Sequence, residues 1–212
     1  PKVKAAEALF SPETGIIDSH TYMLRLSQDA ERLGALLMKN TSFNHATATE
    51  SMWQVSLMTA EGPYSISTGA LINAAGLYSH NVARACGTSI SELPALHYCR
   101  GHYFSVPGKT PFQHLIYPLP EDNLAGLGIH ATLDLGGQVR FGPDTQYLET
   151  NISINDPQNY QVAPELKTKF AEAIRSYYPD IDLCKLQPGY AGIRPKLSQV
   201  GEPTADFTFI RS

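Results

Sequence analysis

The feature that most limits the possible folds is a series of short strand-like segments in the second half of the chain. After Pro94, turn residues such as the Asp-Leu-Gly-Gly at 134–137 separate four such stretches, at 98–106, 115–117, 124–133 and 138–141. Alternation with period two between short turns is typical of antiparallel strands. A helix is predicted between Pro164 and Pro179, because its apolar residues recur at spacings of three and four. Further short strands are expected at 181–186 and 207–210.

The first ninety residues mix helix and strand. Ser19 suits the start of a helix that ends before Gly34. Residues 43–68 predict a meander of strands, and residues 70–76 predict an apolar strand followed by a helix at 77–86. This mixture favours an α+β fold, or an α/β piece that carries an α+β domain.

Composition excludes several classes of function. The chain has 212 residues, a net charge of −4 and 16 scattered basic residues, so we expect no nucleic-acid partner. No apolar run approaches the roughly 20 residues of a membrane-spanning helix. The three cysteines are far apart and odd in number, which indicates a reducing, cytoplasmic compartment. The seven histidines show no metal-binding spacing, so we expect no metal site.

Residues 126–132 carry the most informative pattern for a site. If the stretch is a strand, Gly126, Gly128, His130 and Thr132 share one face, and the other face is apolar. Such a face offers an imidazole and a hydroxyl beside two positions without side chains. It makes room for a flat ligand next to a proton acceptor. The alternative is a histidine bonded to a nearby backbone carbonyl, with the glycines at bulges.

Arginine and tyrosine residues supply candidate substrate ligands. Arg194 follows two glycines and precedes Pro195 in an expected stiff loop, where a fixed guanidinium suits a carboxylate; a structural ion pair is equally compatible. Arg100 and His102 are two apart in a strand and would share a face, with an exposed polar face as the favoured interpretation. Tyr117 could likewise be a substrate ligand or part of an exposed polar surface.

The segment 71–77 combines a predicted strand, small residues, a glycine and a helix. This order would bring backbone close to a ligand, although tight packing of strand on helix explains it equally well. The motifs G-x-S-x-G of serine hydrolases and G-x-x-x-x-G-K-[ST] of phosphate loops are absent from the sequence.

Several stretches together resemble the FAD-dependent oxidoreductase family that includes D-amino-acid oxidase and glycine oxidase. The resemblance is closest to the L-2-hydroxyglutarate dehydrogenase/oxidase branch. The matching stretches run in family order at 9–20, 71–76, 100–104, 115–120, 126–137 with 140–144, and 191–196. The resemblance implies oxidation of a small 2-hydroxy acid by hydride transfer to FAD, on an antiparallel-sheet substrate domain with a helix, attached to part of an α/β FAD-binding domain.

The resemblance also implies roles for particular residues. Those expected against FAD are Ala74, Ala75, Gly76, Gly126 and Gly128. His130 would act on the substrate hydroxyl and Arg194 would hold the substrate carboxylate, with Tyr117, Arg100 and His102 as further substrate ligands. The implied division is a partial FAD domain at 1–92, a substrate domain at 93–198 and a return to the FAD domain at 199–212. A peripheral membrane association through the electron acceptor is the alternative to a purely cytoplasmic location.

Two departures from the family pattern shape the expectation for this chain alone. It contains neither the G-x-G-x-x-G that binds the FAD pyrophosphate nor the closing glycine-rich flavin segment. We therefore expect the 212 residues by themselves to be a fragment that is inactive and does not bind FAD tightly. An amine or amino-acid oxidase of the same superfamily and a non-catalytic binding module are the competing hypotheses.

Overall fold

The computed structural model describes residues 3–119, 128–149, 152–203, 205, 206 and 208. The chain forms two compact units. One unit consists of Pro1–Asp18 with His97–Ala205, and the other of Ser19–Leu96 with Asp206–Ser212. The predicted domain boundaries near residues 92 and 198 stay predictions.

The unit that starts at Ser19 contains two helices and a three-stranded meander. Helix α1 (Ser19–Arg32) is followed by β1 (Ser42–Ala48), β2 (Trp53–Thr59), β3 (Gly62–Thr68) and α2 (Ser79–Ala85). The strands are antiparallel in the order β1-β2-β3. The predicted first helix and the predicted meander are therefore confirmed. Gly34 has φ +95°, which suits a glycine just after a helix end.

The predicted strand at 70–76 is wrong. A strand needs a hydrogen-bonded neighbour, and no strand pairing among the described residues includes this segment. Its backbone is instead organised locally by Asn73, whose side chain accepts from the N–H of Ala75 at 3.2 Å and donates to the carbonyl oxygen of Ser79 at 2.7 Å. Ile72 is 87% exposed, so the apolar run is not buried within the described structure.

The unit that contains His97 is built on a five-stranded sheet. Its strands are β4 (His97–Val106), β5 (Ala131–Leu133), β6 (Val139–Phe141), β7 (Gln146–Tyr147) and β8 (Gln187–Lys196). The order is β5-β6-β4, with β7 and β8 also paired to β4, and every pairing is antiparallel. The predicted α+β fold with an antiparallel sheet is confirmed.

Two local predictions in this unit need correction. The expected loop around Arg194 is the long strand β8, because pairing along β4 outweighs the weak strand preference of its glycines and prolines. Within the described residues β8 pairs only with β4, and an edge strand tolerates proline. The expected strand at 181–186 is a 3₁₀ turn at Leu183–Lys185.

Other predicted strands are shorter than expected. The stretch at 115–117 contributes one bridge, between Ile116 and Ala131. Of the stretch at 124–133, only Ala131–Leu133 forms a strand, and residues 124–127 lie outside the described residues. The predicted strand at 207–210 lies almost wholly outside them too.

Helix α3 (Lys167–Tyr177) covers one face of this sheet. Phe170 and Ile174 are fully buried, and the Phe170 ring lies 4.5 Å from that of Phe104 on β4. Phe104, Phe141 and Ala131 lie opposite one another on adjacent strands, so they belong to the covered face. Burying a phenylalanine of this kind contributes about 2–3 kcal/mol. The helix therefore packs on one face of the sheet, and the candidate site residues lie on the other.

Candidate functional site

The second face of the sheet collects polar and aromatic side chains. Successive side chains of a strand point to opposite faces, so the neighbours of the core residue Phe104 lie on the second face. In the register, Arg140 lies opposite Ser105 and Thr132, and Gly192 lies opposite Gly101. We call this surface the open face; its principal side chains are Tyr103, Tyr117, His130, Arg140, Tyr190 and Arg194.

His130 stands just before β5 and is held from two sides. Its carbonyl oxygen accepts from the N–H of Gly142 at 3.0 Å, and its side chain is buried with 7% exposure. The Nδ1 atom lies 3.1 Å from the carbonyl oxygen of Gly128. A carbonyl oxygen only accepts, so Nδ1 carries the proton and Nε2 has a free lone pair in the neutral ring.

The environment keeps the His130 imidazole neutral. Burial lowers its pKa below the ordinary value of 6.5, the hydrogen bond to Gly128 opposes this, and the positive charge of Arg194 lowers the pKa further. The ring of Tyr117 stacks on the imidazole, with centroids 4.2 Å apart and planes at 14°. The backbone carbonyl partner of the alternative, structural interpretation is therefore present, and it leaves the second ring nitrogen available as a base.

Arg194 extends from β8 over the middle of β4. Its Nη2 atom lies 3.5 Å from the position that a Cβ of Gly101 would occupy, which is van der Waals contact, whereas Pro143 lies only 2.7 Å from that position and is what requires glycine there. Arg194 is exposed, and no carboxylate of the described residues lies within salt-bridge distance of it. Its charge acts on His130 and on Tyr103, which places these groups in one electrostatic neighbourhood.

A tyrosine pair beside Arg194 escaped the sequence analysis. Tyr103 of β4 and Tyr190 of β8 stack with ring centroids 4.6 Å apart and planes at 15°. The pKa of Tyr103 is raised, first by burial and then by Tyr190, while Arg194 opposes the shift. The Arg140 guanidinium lies over the Tyr190 ring, 5.6 Å from its centroid. These contacts depend on the pairing of β4 with β8, which no local sequence signal reveals.

His102 and Arg100 share a face of β4, as predicted, but it is the face opposite to Arg194. His102 is 2% exposed, so the expected exposed polar face is wrong for this residue. Both its backbone N–H and its Nδ1 lie 2.8 Å from Oδ1 of Asp144. Arg100 donates to the side chain of Gln146 and to the carbonyl oxygen of Asn159.

Asp144 is the centre of a buried polar cluster under the sheet. Its second oxygen accepts from Nζ of Lys169 at 3.0 Å. Burial would raise the pKa of this carboxyl, but the hydrogen bonds from His102 and Lys169 outweigh it and lower the pKa to about 2. This cluster connects β4 to α3. The sequence did not predict it, because Lys169 and His102 are 25 and 42 residues from Asp144.

The predicted cofactor residues fall in different parts of the structure. Ala74, Ala75 and Gly76 belong to the unit that starts at Ser19. Gly76 has φ +56°, and nothing lies within 4 Å of where its Cβ would be. Small residues with free space above the backbone fit the close approach of a flat group such as a flavin nucleotide.

The two glycines predicted before His130 have separate outcomes. Gly128 has φ +76°, and a Cβ there would lie 3.1 Å from Cγ of Pro118, so backbone geometry and packing both require glycine. Gly126 lies outside the described residues.

Tyr117 also borders a cavity of about 490 Å³ within the same unit. The cavity is lined by apolar residues such as Phe10 and Leu133, with Thr14, Gln113 and His114 as polar groups. This volume suits a small molecule. Tyr117 therefore lines this cavity and also stacks on the His130 imidazole.

The described residues offer no metal site and no membrane-spanning helix. No group of three His, Cys, Asp or Glu side chains there is placed to hold a metal ion. None of the helices in the described ranges combines the length and the apolar character needed to traverse a bilayer.

Comparison with known proteins establishes the family to which this chain belongs. The model of the FAD-dependent oxidoreductase family matches residues 1–210. The FAD-bound L-α-glycerophosphate oxidase of Mycoplasma pneumoniae aligns with a TM-score of 0.64 at 16% identity, over 81% of this chain and 42% of that one. Glycine oxidase of Geobacillus kaustophilus gives 0.57 at 15% identity, over 82% and 41%. The chain belongs to the FAD-dependent oxidoreductase family, as the resemblance predicted.

Curated relatives narrow the similarity to one branch. The mitochondrial L-2-hydroxyglutarate dehydrogenase of Arabidopsis thaliana is 35% identical over 98% of this chain and 49% of its own length. The L-2-hydroxyglutarate dehydrogenase of Indibacter alkaliphilus is 27% identical over 92% of this chain and 55% of its own length. The chain thus spans about half the length of these relatives. Because the Arabidopsis relative is mitochondrial, the expected cytoplasmic location stays a prediction.

Proposed function

We propose that the protein containing this chain oxidises a small 2-hydroxy acid of the L-2-hydroxyglutarate type, with FAD as the cofactor. The observation that carries the proposal is the placement, on one open sheet face, of a neutral, oriented imidazole and a guanidinium with no carboxylate of the described residues within salt-bridge distance. His130 supplies the imidazole and Arg194 the guanidinium. The branch of the curated relatives supports the substrate class.

His130 is assigned the role of general base for the substrate hydroxyl. Its lowered pKa leaves the ring unprotonated at neutral pH, so Nε2 can accept a proton. The hydrogen bond between Nδ1 and the Gly128 carbonyl oxygen fixes the tautomer, and the Tyr117 ring fixes the ring plane. The free imidazole nitrogen is therefore set in one orientation before substrate arrives.

Arg194 is assigned the substrate carboxylate. A guanidinium binds a carboxylate through two parallel hydrogen bonds, which fixes orientation as well as position. The hydroxyl and the carboxylate of a 2-hydroxy acid stand on adjacent carbons, so one residue for each group holds the α-carbon in place. Tyr117 is assigned a substrate contact at the border of its cavity.

FAD, when bound, supplies the acceptor for the hydride that leaves the α-carbon. We assign Ala74, Ala75 and Gly76 to the cofactor, together with Gly128 and the sequence-predicted Gly126. Arg100 and His102 lie on the opposite face, and we propose that they hold β4 rather than the substrate. The substrate domain is assigned to 93–198, between FAD-domain portions at 1–92 and 199–212.

The test is anaerobic reduction of the flavin in the complete protein. L-2-Hydroxyglutarate should abolish the visible flavin absorbance, whereas glycine and sarcosine should leave it unchanged. Bleaching by glycine or sarcosine alone would show that the protein is an amine oxidase. A complete protein without flavin, or one that none of these compounds reduces, would refute the proposed oxidation.

A further inference from the structure

We propose that Arg140 is a second anion-binding residue of this site and selects substrates that carry a distal carboxylate. The inference rests on the proposed function and adds a determinant of specificity to it. It assigns a role to a residue that the proposed proton transfer and carboxylate clamp do not use.

The register places Arg140 on the same face as the proposed base and clamp. Arg140 on β6 lies opposite Ser105 on one side and Thr132 on the other. Phe141, the next residue, points into the core with 1% exposure. Alternation therefore directs the Arg140 side chain to the open face.

The side chains of Arg140 and Arg194 both extend toward the region of the sheet around Gly101 and Tyr190. Their backbones lie opposite Ser105 and Cys99, six residues apart on β4, or on the order of 20 Å. The Arg194 guanidinium reaches Gly101, and the Arg140 guanidinium reaches the ring of Tyr190. Both charged groups thus approach the stacked pair of Tyr103 and Tyr190.

The surface between the two guanidiniums suits a short flexible chain. The stacked rings of Tyr103 and Tyr190 form an aromatic floor. Gly192, opposite Gly101, has no atom within 4 Å of where a Cβ would lie. In the proposed site, a five-carbon dicarboxylate places one carboxylate at Arg194 and the other at Arg140, above the two tyrosine rings.

The existing partner of Arg140 leaves it able to bind a ligand. Its Nη2 atom lies 3.2 Å from Oδ2 of Asp134, and the two side chains are 43% and 28% exposed. A guanidinium carries five N–H donors, so one such bond leaves most of them available. An exposed pair of this kind is weak enough for a substrate carboxylate to compete.

The experiment compares two substrates in the complete, FAD-loaded protein. Arg140→Met should raise KM for L-2-hydroxyglutarate about ten- to hundredfold, because it removes a hydrogen-bonded charge pair. The KM for L-2-hydroxybutyrate, which lacks the distal carboxylate, should change less than twofold. Arg140→Lys should recover part of the loss. The exposed Arg175 on α3 offers a matched control, and Arg175→Met should alter neither KM.

A binding measurement separates recognition from catalysis. Glutarate has both carboxylates but no hydroxyl, and butyrate has one carboxylate. Inhibition by glutarate should weaken in Arg140→Met as much as KM rises, while inhibition by butyrate should not change. Asp134→Asn keeps the Oδ1 acceptor of the Gln138 N–H but removes the competing charge, so it should strengthen glutarate inhibition.

The outcomes distinguish this inference from the proposed function. If the unmodified protein oxidises both hydroxy acids with equal KM, or if Arg140→Met affects both equally, the role of Arg140 is refuted and the oxidation of 2-hydroxy acids stands. If no 2-hydroxy acid reduces the flavin, both are refuted. Selective loss of the dicarboxylate in Arg140→Met supports both.

Discussion

The rings of Tyr117 and His130 lie almost parallel, 4.2 Å between centroids, while Nδ1 of His130 is held 3.1 Å from the carbonyl oxygen of Gly128. One contact restricts rotation of the imidazole plane, and the other selects the nitrogen that carries the proton. Together they give Nε2 a fixed direction, which a base needs in order to reach a substrate hydroxyl.

Replacing Tyr117 tests whether the stack orients the base. Tyr117→Leu should lower the rate of flavin reduction roughly two- to tenfold, because an aromatic stack contributes about 0.5–1.5 kcal/mol. Tyr117→Phe keeps the ring and should stay within twofold of the unmodified protein. Rapid-mixing absorbance with L-2-hydroxyglutarate measures the rate. Equal losses in both variants would instead indicate that the hydroxyl matters and the stack does not.

If His130 is the base, the pH–rate profile of flavin reduction should fall at acidic pH. Only neutral His130 can accept the proton, so the rate of flavin reduction should fall as pH decreases through its pKa. Because burial and Arg194 lower that pKa, the inflection should lie below 6.5. His130→Gln should slow reduction by about 10²–10⁴ and remove the inflection, with little change in substrate binding. His45→Gln, an exposed change on β1, serves as control. An inflection that persists in His130→Gln would assign it to another group.

Removing the proposed clamp should weaken binding more than chemistry. Arg194→Met should raise KM by an amount equivalent to about 2–4 kcal/mol if the carboxylate contact is bidentate and partly buried, and Arg194→Lys should recover only part of this. Arg100→Met changes an arginine on the opposite face and should leave KM unaltered. Steady-state kinetics with L-2-hydroxyglutarate measure both. A larger effect from Arg100→Met would reverse the proposed assignment of the two arginines.

The cluster around Asp144 should stabilise the fold rather than the reaction. Asp144→Asn should lower the free energy of unfolding by about 2–4 kcal/mol at pH 7, because it breaks a buried charged network. The exposed pair of Asp29 and Arg32 provides the comparison, and Asp29→Asn should cost less than about 1 kcal/mol. Urea denaturation of both variants measures the difference.

The same cluster predicts a dependence on pH. The folded pKa of Asp144, about 2, lies below its ordinary value of 3.8, so the ionised carboxylate favours the folded state. Its contribution is complete above about pH 4 and is lost as pH falls toward 2, on the order of 2 kcal/mol in all. The gap in stability between the unmodified protein and Asp144→Asn should therefore narrow at pH 3. A gap that is equal at pH 3 and pH 7 would contradict the lowered pKa.

The sequence predicted the parts of this structure that depend on local pattern. The long strand β4, helix α3 and the meander β1–β3 each carry a clear period and clear end signals. His130 and Arg194 were proposed as site residues because they stand in distinctive glycine-rich stretches, and their roles stay predictions. In contrast, Tyr190 and Arg140 became visible only through strand pairing, and Asp144 only through its distant partners.

The failed strand at 70–76 has a related cause. Its apolar residues satisfy a local pattern, but a strand is stable only when a neighbour completes its hydrogen bonds. Within the described residues that neighbour is missing, and Asn73 organises the segment instead. Sequence periodicity reports which face a residue prefers and carries no information on which distant strand is present to pair with it.

Adjacent residues of β4 have different roles because their side chains lie on opposite faces of the sheet. His102 and Phe104 point toward the Asp144 cluster and the helix, whereas Tyr103 between them stacks on Tyr190. In a saturation mutagenesis experiment that scores abundance and turnover separately, the phenotype should alternate over residues 102–104 of this strand. Changes at His102 and Phe104 should deplete the protein, while changes at Tyr103 should leave abundance high and alter turnover. Neighbouring positions of one strand would thus show two different mutant phenotypes, loss of protein or loss of turnover.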